Sequence, residues 1–371
     1  MQQKRIAIVN QSSGFLVIDV VNAYAEAYDE VVLIAGKVTP VERQLNPKVR
    51  VEEIAKYDRS SAKNRILTWL KGYFGIRRLL KGKYKGWEVL YFTNPPMSYF
   101  AAKGKYSIGV YDLYPDALQS IGIKPSNPIY KCWARKNRKL FAGAERVITL
   151  GEGMKKAVSQ YVDGSKVEVV YNWSATDSFK PIPKAENPFA KEHGLEDKFV
   201  VMYSGNMGYT HSVDKLVDVA RLLKGLPEIH FLFVGGGKKK ADIEQSIEKD
   251  GLSNCTVLDW QPNEMLPYSL ATADLGVITL GDESAAVSVP SKTYNLLAVG
   301  APLLCICPEE AEMRELVGKF GNGKCFMPSD VEGMAEYIKG LYSDKDLLKK
   351  YSEASLEAAK SFSFENAKLY I

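Results

Sequence analysis

The sequence predicts an α/β protein built from two doubly wound parallel-sheet domains with a cleft between them. Three observations carry this. Short, nearly continuous Val/Ile/Leu runs alternate with helical stretches along the whole chain, which indicates parallel strands covered on both faces. The alternation restarts after Lys180-Pro-Ile-Pro-Lys-Ala-Glu-Asn-Pro188, whose prolines suit a stiff connector and not a core element. Glycine-containing loops follow several of the strands, and some of them open helices. The domains are read as residues 1–178 and 179–361, with a tail at about 362–371 able to pack back onto the first.

In order, the first half supplies strands at Arg5–Val9, Val31–Ile34, Glu88–Phe92, Ser107–Tyr111, Arg146–Leu150 and Val167–Val170. The second supplies Phe199–Tyr203, His230–Val234, Thr256–Asp259, Leu275–Thr279 and Leu303–Ile306. A polar, Ala-rich helix from about Asp346 to Ser361 closes the chain before the tail. No run of 18 apolar residues is present, so no membrane-spanning helix is expected. The N-terminus reads as a strand without an h-region or cleavage site, so a cytoplasmic protein is expected.

Net charge is +5, but its distribution is uneven. Residues 1–180 hold 29 Lys+Arg and 16 Asp+Glu, a balance of +13; residues 181–371 hold 20 and 28, a balance of −8. Such asymmetry points to an anionic surface met by the first half. The stretch Arg59 to Trp87 holds nine Lys/Arg and no acid, and Ile66, Trp69, Leu70, Tyr73, Ile76 and Leu80 share a helical face there. Lys131, Arg135, Lys136, Arg138 and Lys139 add a second basic cluster. Aromatic wedges beside basic residues suit a peripheral contact with anionic lipid; the alternative is a core-packed helix with a solvated basic face. No nucleic-acid motif accompanies the charge, so nucleic acid is not expected as a partner. The five cysteines have no framework spacing and read as reduced thiols, and no metal is expected because the three histidines lie elsewhere in the sequence.

Ligands of such sheets bind at the carboxyl ends of the strands, so the loops there carry the candidate site. In Tyr203-Ser-Gly-Asn-Met-Gly-Tyr-Thr-His-Ser-Val-Asp214 the chain bends through Gly205 and Gly208 into a helix near Val213. Glycine admits close backbone approach, and a helix N-terminus attracts phosphate. Ser204, Gly205, Asn206 and His211 are therefore candidate diphosphate contacts. Val289-Pro-Ser-Lys292 places Pro290 at a helix start, Ser291 as its cap and Lys292 in the first turn, where a cation opposes the dipole unless an anion compensates it. Asn295, one turn on, suits ribose hydroxyls. Gly235 and Gly236 would bind by backbone contact, and Asp259, Trp260 and Gln261 would border a base. In the first half, Asp112 follows an apolar strand and is a candidate to orient or deprotonate an acceptor hydroxyl, with Asp116 read as a helix cap and Gly14 in the loop after the first strand.

In order along the chain, Tyr111–Asp116, Arg146–Met154, Tyr171-Asn-Trp173, Tyr203–Asn206, Phe231–Gly237 and Val289–Lys292 through Gly300-Ala-Pro302 resemble the landmarks of the retaining GT-B glycosyltransferases, especially bacterial members that build surface polysaccharides. The resemblance covers nearly the whole chain. It implies two Rossmann-like domains, a nucleotide-sugar donor held by the second and an acceptor on the first. It also implies transfer with retention and without a metal, the leaving diphosphate helping to deprotonate the acceptor. Many relatives carry Arg where Asn206 stands, Lys where His211 stands and Glu where Asn295 stands.

The resulting expectation is a metal-independent hexosyl- or N-acetylhexosaminyl-type transferase needing no cofactor, with UDP favoured in the donor. It would sit at the inner membrane face and act on a lipid-linked glycan precursor. Asp112, His211 and Lys292 would be its catalytic residues. Two alternatives stay open: a non-catalytic donor-binding subunit, suggested by the three replacements, and a nucleotide-sugar epimerase of the same fold.

Overall fold

Val, Ile and Phe dominate the strands because both faces of each sheet are buried. In the computed structural model, which describes residues 3–40, 43–174, 178–281, 285 and 289–371 (without the side chains of Ser120 and Ile121), the chain forms two compact units. One comprises Met1–Ala175 with Phe364–Ile371, the other Thr176–Ser363. No helix among the described residues is long and apolar enough to cross a membrane.

The first unit runs β1 (Arg5–Val9), β2 (Ser12–Ser13), α1 (Phe15–Ala27), β3 (Glu30–Ala35), β4 (Lys37–Val38), β5 (Arg50–Glu53), α2 (Ala62–Lys81), β6 (Glu88–Phe92), β7 (Tyr106–Val110), α3 (Pro128–Gly143), β8 (Val147–Thr149), α4 (Glu152–Val158) and β9 (Val167–Val169). Its seven-stranded sheet has the order β5-β3-β1-β6-β7-β8-β9, all parallel, and β2 pairs with β4 in a small ribbon. The order reverses between β1 and β6, so the loops after these strands flank the switch point where doubly wound sheets hold ligands.

The second unit runs α5 (Pro188–Glu192), β10 (Phe199–Asn206), α6 (Val213–Leu222), β11 (Ile229–Gly236), α7 (Lys240–Asp250), β12 (Cys255–Leu258), α8 (Leu266–Ala271), β13 (Leu275–Thr279), α9 (Lys292–Ala298), β14 (Leu303–Ile306), α10 (Glu312–Phe320), β15 (Gly323–Phe326), α11 (Val331–Ser343) and α12 (Lys345–Lys360). Its parallel sheet has the order β12-β11-β10-β13-β14-β15 and switches between β10 and β13.

Several expectations change. The sequence pattern missed β5 and β15, which lie at sheet edges and mix charged residues into short strands. Strands β10 and β11 run on through Asn206 and Gly236, so the glycines expected in turns stay in the ladder, Gly205 beside Gly235. The prolines of 180–188 are not a free connector. Asn187 is buried, caps α5 and donates to Tyr268 O and Thr272 Oγ1, while Lys184 pairs with Asp274. The basic stretch is one unbroken helix, α2, and Gly72 lets it pack on Gln11, whose amide donates to Ala55 O and Thr68 O. Of its expected apolar face only Trp69 and Ile76 are buried; Ile66, Leu67, Leu70 and Phe74 are exposed. Trp173 is core, donating to Asp19.

The tail closes on the first unit. Ala367 and Tyr370 join the cluster of Ile8, Val20, Leu33, Leu90 and Phe92. Tyr24 donates its hydroxyl to Tyr370 O, and the Arg146 guanidinium reaches the carbonyls of Leu369, Tyr370 and Ile371.

Candidate functional site

At the carboxyl end of the second sheet, Gly205 and Gly235 face each other so closely that a Cβ on Gly235 would lie 2.1 Å from Gly205 O. Both have positive φ, +152° and +132°, which disfavours any other residue. The pairing joins two loops into one ridge, reinforced where Met207 N donates to Gly236 O and Lys239 N donates to Met207 O. Asn206 is exposed, and its side-chain amide occupies the space that a Cβ on Gly208 or Gly237 would need. Ser204 is half-buried in the ladder opposite Val234.

Lys292 reaches this ridge from α9. Its Nζ stands 4.0 Å from the Tyr203 ring centroid and would meet a Cβ on Gly205 at 3.0 Å. Among the described residues no carboxylate pairs with it. Burial lowers its pKa from the ordinary 10.5 to about 8, with Cys305 opposing the shift. An ammonium desolvated without a counter-ion pays part of the cost of binding before any ligand arrives, and an anion at that point would recover it. The sequence expected Ser291 as the cap of this helix. Instead its backbone is already helical, at φ −57° and ψ −30°, and its side chain makes no cap bond. Asn295 follows Lys292 by three residues, half-buried, one turn along α9.

His211 sits on the same rim. Its Nδ1 lies 3.3 Å from Thr279 O and 3.2 Å from Thr279 Oγ1. A carbonyl only accepts, so bonding to it puts the proton on Nδ1 and leaves the Nε2 lone pair free in the neutral ring. Desolvation lowers the His211 pKa, the Thr279 carbonyl partly offsets this, and Lys292 and Lys239 lower it further. The lowered pKa leaves the ring largely neutral at pH 7, with the ammonium groups of Lys292 and Lys239 in its neighbourhood.

Asp259, Trp260 and Gln261 form the loop after β12. The Trp260 indole lies over Gly236, its Nε1 2.8 Å from where a Cβ would stand, and the residue is 61% exposed. Asp259 pairs with Lys240, and Gln261 donates to Asp259 O. The structure thus brings Gly205, Asn206, Gly235, Gly236, His211, Lys292 and Trp260 together. Residues 282–284 and 286–288, in the loop after β13 where sugar selectivity would rest, lie outside the described residues.

Sequence reasoning missed Lys239, Thr279 and Tyr203. Lys239 donates to His211 O and pairs with Asp214 at 2.7 Å, tying the loop to α6. Nothing in a run of three lysines marks the middle one.

Asp112 and Gly14 belong to the first unit. Gly14 starts α1 with open space over its Cα. Asp112, after β7, takes its backbone bond from N to Thr93 Oγ1 and lines a pocket of about 350 Å³. Its side chain stays exposed to solvent, yet partial desolvation by the surrounding protein shifts its carboxyl pKa upward while Arg59 pulls the other way. Asp116 is not a cap; it accepts from the hydroxyls of Tyr130 and Tyr161. Among the described residues, no group of three or more His, Cys, Asp or Glu is placed to hold a metal.

Residues 185–358, which carry the glycine ridge and Lys292, match the family described as Glycosyl transferases group 1. The chain is 25% identical to the probable glycosyltransferase WbjE of Pseudomonas aeruginosa over 320 residues, 82% of this chain and 78% of that protein. It is 28% identical to the putative colanic acid biosynthesis glycosyl transferase WcaI of Escherichia coli K12 over 210 residues, 55% of this chain and 51% of that one. The crystal structure of Anabaena HepE in complex with UDP superposes with a TM-score of 0.73 at 16% identity, covering 99% of this chain and 98% of that one. At such identity the likeness establishes the fold: two Rossmann-like domains.

Proposed function

We propose that the protein is a retaining glycosyltransferase that moves a sugar from a nucleotide diphosphate donor, UDP-linked first, onto a lipid-linked glycan precursor in surface polysaccharide biosynthesis. The observation that carries this is Lys292, desolvated on the glycine ridge of a group 1 glycosyltransferase domain with no carboxylate partner among the described residues. Its charge would meet the donor diphosphate and offset the charge that grows as the sugar leaves. Gly205, Asn206, Gly235, Gly236, Ser204 and Ser291 would surround the diphosphate, Asn295 the ribose, and Trp260 with Asp259 and Gln261 the base. His211, neutral with Nε2 free, would gain a proton when a diphosphate raises its pKa. Asp112 would orient the acceptor hydroxyl, and the leaving phosphate would take its proton. No metal is assigned a role. The exposed Ile66, Leu67, Leu70 and Phe74 of α2, with its lysines and arginines, would rest on an anionic membrane face.

The test is thermal denaturation with UDP, GDP, ADP and CMP, with and without chelator, followed by turnover of the nucleotide sugar whose base gave a shift. A shift with one diphosphate that survives chelation supports the reading. The neutral His211 and the Asn at 206 and 295 favour one alternative, a donor-binding protein without turnover. Donor cleavage by the wild type would exclude it, and binding without cleavage in the presence of acceptor lipid would replace the first reading with it.

A further inference from the structure

We infer that the first unit holds a pocket for the phosphate and adjoining sugar of a phosphate-linked saccharide, gripped by Arg59 and Arg65. The inference deepens the transferase reading by naming the acceptor's chemistry and its contacts.

The pocket of about 350 Å³ opens beside the loops after β6 and β7, next to the switch point of the first sheet. Arg59 and Arg65 line it, are exposed, and have no carboxylate within ion-pair distance among the described residues. Each guanidinium lies over an aromatic ring, Arg59 5.1 Å from the Tyr57 centroid and Arg65 5.4 Å from that of Trp69. Such stacking holds each planar fork in place, Arg65 also meeting the Tyr114 hydroxyl, and leaves further N–H groups for two-pronged binding of phosphate. The first turn of α2, which bears Arg65, has no acid to compete.

The walls suit a sugar. Tyr57 and Trp69 stack at 6.0 Å and 16°, and Tyr114 meets Trp69 edge-on at 5.7 Å. The half-buried rings of Tyr57 and Tyr114 leave apolar area to meet the C–H face of a pyranose. Asp112 accepts hydrogen bonds and repels a second anion, so a ligand carrying phosphate at one end and hydroxyls at the other has one favoured orientation: phosphate to the arginines, hydroxyl to Asp112. A neighbouring pocket of about 560 Å³ is also basic, with Lys131, Arg135 and Arg138, but its carboxylate, Asp116, is spent on two tyrosines.

The ligand's phosphate could belong to a soluble sugar phosphate or to a carrier lipid, and the probes separate these. Calorimetry on the full chain would compare glucose 1-phosphate, geranylgeranyl diphosphate in micelles and methyl α-glucoside. The Arg59→Gln/Arg65→Gln double variant is expected to bind both phosphate probes at least tenfold more weakly. Its denaturation midpoint and its response to UDP should match the wild type. A tenfold preference for the prenyl probe that Phe74→Ser abolishes would assign the phosphate to a lipid carrier; equal binding would assign it to phosphate from either source. The inference is overturned if the double variant binds the phosphate probes as the wild type does, or if millimolar probe gives no binding to a wild type that responds to UDP. A wild type that binds these probes but ignores UDP would sink the donor assignment and leave this pocket standing.

Discussion

Lys292 is where a single side chain has the largest expected effect. Lys292→Met keeps the chain length and removes the charge. Losing a charged contact of about 1.5–3 kcal/mol would weaken UDP roughly 10- to 100-fold. Calorimetry checks it, and unchanged affinity would remove Lys292 from the site. The pKa of about 8 adds a second expectation. UDP binding should weaken as pH rises through about 8, because the free ammonium is lost there. Ligand-free stability should move the other way. The native state holds fewer protons than the unfolded chain between about 8 and 10.5, so this group's contribution rises with pH across that window. His211 acts at the acid end. Its lowered pKa means the unfolded state binds the extra proton below about 6.5, so its contribution to stability falls as pH drops below that value. Denaturant midpoints of wild type and His211→Gln between pH 5 and 7 measure it; identical pH slopes would contradict the desolvation.

At the scale of elements, the ridge depends on two strands running closer than side chains permit. Gly235→Ala would drive a Cβ onto Gly205 O and force an unfavourable φ, costing about 2–5 kcal/mol. Urea unfolding followed in the second unit would show it, and a loss under 1 kcal/mol would mean the strands part easily. This feature was only half legible in the sequence. The glycines marked the loop, but that they remain laddered follows from strand register, which sequence spacing does not contain. Helix α2 shows the same limit. Its charge and length were readable, but which apolar side chains it buries depended on Gln11 and Ile54 meeting Gly72 and Gly75. Its exposed side chains touch little, so Leu70→Ser with Phe74→Ser should change stability by no more than about 0.5 kcal/mol. The same pair should abolish sedimentation with anionic vesicles at low salt. Undiminished vesicle binding would move the membrane contact elsewhere.

At the scale of the whole molecule, the last eight residues are separated in sequence from the unit they complete. Tyr370 is 1% exposed in the first unit's core, and truncating a buried aromatic costs about 3–5 kcal/mol. Tyr370→Ala should lower the unfolding transition of the first unit and leave that of the second unchanged. Hydrogen exchange resolved by segment would separate the two, and equal loss of protection in both units would mean they unfold together.

The sequence by itself determined the class of fold, the strand succession and the segments that bear the candidate site. These rest on local hydrophobic period and on glycine, proline and lysine at strand ends, and local chemistry is written in the chain. It also carried the ordered segments that resemble those of the GT-B glycosyltransferases. The tertiary structure decided what the segments do to one another. Only packing could desolvate Lys292 on Gly205, hold His211 neutral between Thr279 and two lysines, spend Asp116 on tyrosines, and set Arg59 and Arg65 over aromatic rings beside Asp112. Burial and charge separation are properties of distance, and residues far apart in the chain acquire them only when the sheets assemble.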